Sequence, residues 1–237
     1  MNPLHPRPAA FALSVLILSS VAVPAQTAPS TFAISRSSLC VTEGEIGRGP
    51  NESLIVDAQK MRAYINTWTA QSIEAEFTYL GPTAKESALG SGEVRRQFGL
   101  KLRAQDACNL VYAMWRIEPE SKLVVSIKRN PGQTRSSECG NRGYQNIKPR
   151  RAEPVPNLHP GDKHTLRAEM DHDNLRVLVD DRVVWEGSVG PDAEALTGPV
   201  GIRSDNARLE LNLRAGVLSG AHPQYARACK SGPDASD

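Results

Sequence analysis

From His164 to Arg214 apolar and polar side chains alternate almost without a break, a pattern that few structures other than a sheet accommodate. In "HTLRAEMD", Leu166, Ala168 and Met170 fall on one side and Arg167 and Glu169 on the other. A repeat of two is the signature of a strand with one buried face. "DHDN" (171–174) and the pair Asp180-Asp181 interrupt the pattern where turns belong, the second at a place where Asp-Gly is the usual two-residue hairpin. "HTLRAEMDHDNLRVLVDDRVVWEG" therefore reads as strand, turn, strand, turn, strand. "GPVGIRS" and "ARLELNLR" then carry the chain back to the sheet.

The same alternation runs upstream. It places Ile73, Ala75, Phe77 and Tyr79 against Glu74, Glu76 and Thr78, and Phe98, Leu100 and Leu102 against Gln97, Lys101 and Arg103. Leu123, Val125 and Ile127 share a side in "KLVVSIKR". "NLVYAMWRI" is apolar on both faces, as a strand in the middle of a sheet would be. Short helices are expected over 83–90 and 191–196. Residues 130–162 form a long connection rich in Gly and Pro, of the length that is functional or needs a staple. Roughly eleven strands with short turns and almost no helix predict an all-β antiparallel β-sandwich. With 237 residues, one such domain fills the chain: an N-terminal segment at 26–53, the sandwich at 54–215 and a tail at 216–237.

The first residues speak to compartment. Arg7 precedes an apolar run from Ala9 to Val23, followed by Val-Pro-Ala, the layout of a secretory signal ending at residue 25. No later apolar run is long enough to span a bilayer. Export, to the periplasm or the exterior, follows as an expectation. Four cysteines then suggest two disulfides. Three pairings are open. Cys108–Cys139 with Cys40–Cys229 is favoured, because the first staples the long connection and the second joins the two ends of the domain. No CxxC or His/Cys cluster offers a metal site. A formal net charge of +2 with scattered basic residues argues against nucleic acid as partner.

The run His164–Arg214 resembles the C-terminal half of the concanavalin A-like lectin/glucanase jelly rolls, in particular the laminin-G-type and 3-keto-disaccharide hydrolase-type bacterial domains. The resemblance implies a jelly roll whose curved sheet offers a concave face to a ligand, and it leaves the chemistry open. The retaining glucanases of this fold carry Glu-x-Asp-x-x-Glu on one strand. Here "EAE" at 74–76 lacks the Asp and the third carboxylate. The alginate-lyase branch uses Arg, Gln, His and Tyr. "RRQFGLKLR" and "VYAMWR" supply three of these types, and no histidine accompanies them. No Gly-x-Ser-x-Gly or His-Glu-x-x-His is present. Some domains of this fold bind calcium. "DHDN" lacks the further ligands of a calcium loop and reads as a hairpin turn, so no cofactor is expected.

The non-core parity of the middle strands then defines a candidate binding face: Gln97, Lys101 and Arg103 on one strand, Tyr112 and Arg116 on the next, Lys128 on a third. Tyr112 and Trp115 have opposite parity, so only one is core. Gly99 sits mid-strand, where a bare position marks a close approach. Arg, Lys, Gln and an aromatic suit an oligo- or polysaccharide, anionic or rich in hydroxyls. The expected function is an exported carbohydrate-binding or cell-envelope recognition domain without catalysis. A glycan hydrolase or lyase and a protein adhesion module are the alternatives.

Overall fold

A computed structural model of the protein describes residues 30–65, 70–217 and 229. The expected leader and most of the expected tail lie outside them. In chain order the strands are β1 (Ser30–Ile34), β2 (Leu39–Glu43), β3 (Gly47–Arg48), β4 (Leu54–Asp57), β5 (Lys60–Ile65), β6 (Ser72–Pro82), β7 (Arg96–Leu102), β8 (Leu110–Glu118), β9 (Lys122–Lys128), β10 (Tyr144–Asn146), β11 (Arg151–Ala152), β12 (Lys163–Asp171), β13 (Asn174–Val179), β14 (Arg182–Ser188), β15 (Gly201–Asp205) and β16 (Ala207–Val217). Two four-residue helices, α1 (Ser136–Cys139) and α2 (Pro191–Glu194), complete the described secondary structure apart from two 3-10 turns.

The strands form two antiparallel sheets. The nine-stranded sheet runs β11-β14-β13-β12-β6-β16-β4-β3, with β1 also on β16. The seven-stranded sheet runs β10-β9-β8-β7-β15-β5-β2. The expected meander is β12–β13–β14, paired in sequence. Asp180 and Asp181 both take positive φ, 49° and 61°, the left-handed pair of a tight hairpin. Asp180 can fill a place that favours glycine because its carboxylate accepts from the Thr165 amide and binds His164 Nδ1 at 2.7 Å. Strands β1, β2 and β3, from the segment before residue 54, pair into both sheets. Residues 83–90 are not the expected helix. They lead into a small hairpin closed by an Ala88–Val94 bridge, since a segment of eight residues cannot outweigh the cost of nucleating a helix.

The core lies between the sheets and follows the alternation. Phe77 of β6 meets Phe98 of β7 at 5.2 Å and Trp115 of β8 edge-on at 5.7 Å, the tilted arrangements that aromatic quadrupoles favour. Trp115 is therefore the core member of the Tyr112/Trp115 alternatives, and Tyr112 points to the other face. β8 is central, with β7 and β9 on its two sides, as its doubly apolar pattern requires. Cys40–Cys229 and Cys108–Cys139 are bonded, the favoured pairing. Of the outer strands, β3, β10 and β11 have two or three residues, and β1 and β2 have five each.

Candidate functional site

The outward face of the seven-stranded sheet bears a groove of about 470 Å³. Its lining comes from β2, β5, β7, β8, β9, β10 and β15, with walls from the loops before β7 and after β9. Pairing sets the rows. Asp205, Gln97 and Arg116 are adjacent on β15, β7 and β8, and Arg203, Gly99 and Met114 form the next row. Tyr112 and Ser126 stand side by side on β8 and β9, and Tyr144 of β10 faces Lys128.

Asp205 organises one half of the floor. Its carboxylate is fully buried and accepts from Arg62 Nη2 at 2.6 Å, Gln97 Nε2 at 2.6 Å and Arg203 Nε at 2.9 Å. Burial alone would raise the Asp205 carboxyl. The Arg62 and Arg203 guanidiniums overcome this and hold it well below the usual carboxylate range. Arg62 is fixed further by donating to the Ser204 and Met61 carbonyls. With Nε2 committed to Asp205, the Gln97 amide is locked, and its Oε1 has no hydrogen-bond partner among the described residues.

Arg203 links this cluster to two tyrosines. Its guanidinium lies over the Tyr112 ring, 5.1 Å from the centroid, and donates to the Tyr144 hydroxyl at 3.2 Å. To reach them from β15 it crosses β7, and Gly99 is the residue opposite it there. A Cβ at Gly99 would fall 2.4 Å from the Ala113 carbonyl oxygen and 2.6 Å from Met114 Sδ, so the bare position is sterically required. Tyr112 and Tyr144 stack at 6.0 Å with planes 24° apart. Lys128 sits over the Tyr144 ring at 5.2 Å and donates to the Ala107 carbonyl.

The charge balance is cationic: Lys60, Arg62, Arg95, Arg116, Lys128 and Arg203 line the groove against Glu43 and Glu93. Burial lowers the Lys128 ammonium from its ordinary value, as it does that of Lys101, where Arg62, Arg203 and Lys128 push the same way. Burial pushes the Tyr112 phenol up. Burial would raise that of Tyr144 too, but Arg203 and Lys128 draw it down.

Of the residues expected from alternation, Gln97, Tyr112, Arg116 and Lys128 line the groove, and Lys101 is buried beside Tyr112 on the neighbouring strand. Arg103 does not join them. β7 ends at Leu102, Arg103 turns to φ 47°, and its guanidinium donates to the Ala193 and His172 carbonyls. It ties β7 to α2 and the β12–β13 turn. Arg62, Tyr144, Arg203 and Asp205 were missed. For Arg203 and Asp205 the signal was present, since "GIRSD" alternates them with Ile202 and Ser204.

Glu74 and Glu76 lie on the nine-stranded sheet, away from the groove, with Glu74 3.7 Å from Arg167. His159, His164 and His172 do not line the groove. In the "DHDN" turn, Asp173 accepts from Ser188 and Asn174, and His172 pairs with Glu194. Among the described residues no three His, Cys, Asp or Glu side chains converge as a metal-ligand set, and no helix is long and apolar enough to cross a membrane.

No protein-family model matches the chain, and no curated protein matches it. Solved structures do. The carbohydrate binding module CBM66 from Bacillus subtilis superposes with a TM-score of 0.52 at 14% identity, covering 76% of this chain and 96% of that one. The apo Crh5 transglycosylase superposes with a TM-score of 0.50 at 13% identity, covering 84% and 91%. Likeness at such identities speaks to architecture, and the architecture is an antiparallel β-sandwich of jelly-roll type.

Proposed function

We propose that the protein is an exported binding domain for acidic oligosaccharides, with the groove of the seven-stranded sheet as its site. One observation carries this reading: the stacked Tyr112–Tyr144 pair sits within a ring of fixed cations, Arg203 and Lys128 among them. Tyr112 is buried beneath and Tyr144 is exposed; the exposed ring suits the apolar face of a sugar, and the guanidinium groups around it suit a carboxylate or sulfate. All four cysteines are paired, which supports an oxidising compartment and hence export. The CBM66 likeness supports a glycan as ligand. Within the superfamily we place the chain beside the laminin-G-type and 3-keto-disaccharide hydrolase-type domains, on its meander.

A second reading, a lyase that eliminates across a uronate, draws on Tyr144. The exposed Tyr144 accepts from Arg203 at 3.2 Å, a cation placed to favour the phenolate that a base needs.

Calorimetric titration of the oxidised protein with acidic and neutral oligosaccharides tests both. Tight binding of acidic ligands is expected, weakened about ten- to a hundredfold in Arg203→Ala or Tyr144→Ala, roughly 1.4 to 2.8 kcal/mol. Arg167→Ala on the other sheet is the unchanged control. Equal affinity in Arg203→Ala, or no acidic ligand bound, would reject the site. Unsaturated products accumulating in the ultraviolet assay would replace the binder with the lyase.

A further inference from the structure

The two loops that wall the groove begin at opposite ends of the same strands and meet above them. The first, residues 83–95, enters β7 at Arg96, the end where β7 pairs with Arg116 and Glu118 of β8. The second, residues 129–143, leaves β9 at Lys128, the end where β9 pairs with Leu110. Leu110 and Arg116 are about 20 Å apart along β8 at the rise of a strand. Yet a Cβ built on Gly90 of the first loop falls 3.4 Å from the Cβ of Asn141 in the second. Leu89, Gly90 and Ser91 on one side and Ser136, Gly140 and Asn141 on the other line the same cavity as Met114, Arg116 and Ser126 beneath. Together the loops make an arch along the strand direction, over β8 and β9.

Both legs are held. Asn206 is buried, with its side chain accepting from the Ser87 amide and donating to the Ser87 and Arg95 carbonyls at 2.9 to 3.0 Å. Within the first leg Leu89 and Glu93 close a hairpin, and Arg96 forks onto Glu86. The second leg is stapled by Cys108–Cys139, and Glu138 caps the amides of Thr134 and Arg135. Asn130 bonds the Cys108 and Arg142 carbonyls.

The lining of the groove reaches across the strands, from Lys60 on β5 past Arg203, Gln97 and Tyr112 to Asn146 on β10. The arch crosses that line. A polymer's interior units can be laid into a groove only from the side, and a bridge over the groove blocks that entry, so a chain reaches the floor by its end. We propose that the site takes the terminal unit of an acidic saccharide chain, seated under the arch against Tyr144, Arg116 and Arg203, and excludes the chain's interior. This rests on the acidic-glycan reading above.

The test is binding stoichiometry. The oxidised protein is titrated with oligogalacturonates of defined length and with polygalacturonate of measured mean length, and bound protein is counted per mole of chain. One protein per chain at every length is expected. A variant with residues 89–92 replaced by a two-residue turn, checked for an unchanged melting profile, is expected to bind in proportion to chain length. In the unaltered protein, a stoichiometry that grows with length would overturn end recognition alone. No binding of either probe would overturn the acidic-glycan reading and end recognition together.

Discussion

Asp205 accepts from Arg62, Arg203 and Gln97 at once, so three groups that line the groove share one buried counter-charge. Removing it strands two buried guanidiniums, and Asp205→Asn should cost about 3–5 kcal/mol, read by denaturant unfolding. The pH dependence has a definite sign. The carboxyl is depressed in the fold, so its contribution is complete above the unfolded value of about 3.9 and is lost as pH falls through the lower folded value. Between about pH 5 and 2 the melting temperature of the unaltered protein should therefore fall more steeply than that of Asp205→Asn. Parallel curves would show that the carboxylate is not held this way. At this scale the sequence was half legible. Alternation puts Gln97 and Tyr112 on one face whatever the fold. It put Arg103 there too, because no pattern marks the residue at which a strand stops and φ changes sign. Arg62 was hidden for another reason: "KMRAYI" is too short and too mixed to reveal its parity.

Among the elements, the meander was the most readable, since three long strands with Asp-rich turns leave one solution. The expected eleven or so strands became sixteen because β1 and β2 lie in the segment read as preceding the sandwich, and β3, β10 and β11, of two or three residues, carry no periodic signal. The loop after β9 shows what periodicity cannot convey. It was legible as long and stapled, and Tyr144 at its exit became visible as a site residue only once β10 paired with β9. Cys108 and Cys139 are 31 residues apart, for which loop-closure entropy gives roughly 3–4 kcal/mol. The Cys108→Ser/Cys139→Ser pair should lower the melting temperature. It should also weaken ligand binding several-fold at temperatures where the fold persists, because the disulfide anchors a wall of the groove. Loss of stability with unchanged affinity would mean that the wall stands without it.

For the whole molecule, a formal net charge of +2 contrasts with the cationic groove. Attraction for an acidic ligand is thus local, over distances comparable with the screening length of about 8–10 Å in physiological salt. Affinity should fall several-fold as sodium chloride rises from about 0.05 to 0.5 M, with an association rate only modestly affected, as stopped-flow mixing would show. A rate that collapses with salt would point to long-range steering instead. The sandwich itself was legible because alternation and turns agree along most of the chain. The groove's closure was not, because it depends on two distant loops meeting. The short edges of the sheets bear on how the protein behaves in crowds. A strand of two residues offers a neighbour too few amides and carbonyls to extend a ladder. Along β3, β10 and β11, neighbouring copies can stand close without joining their sheets into one.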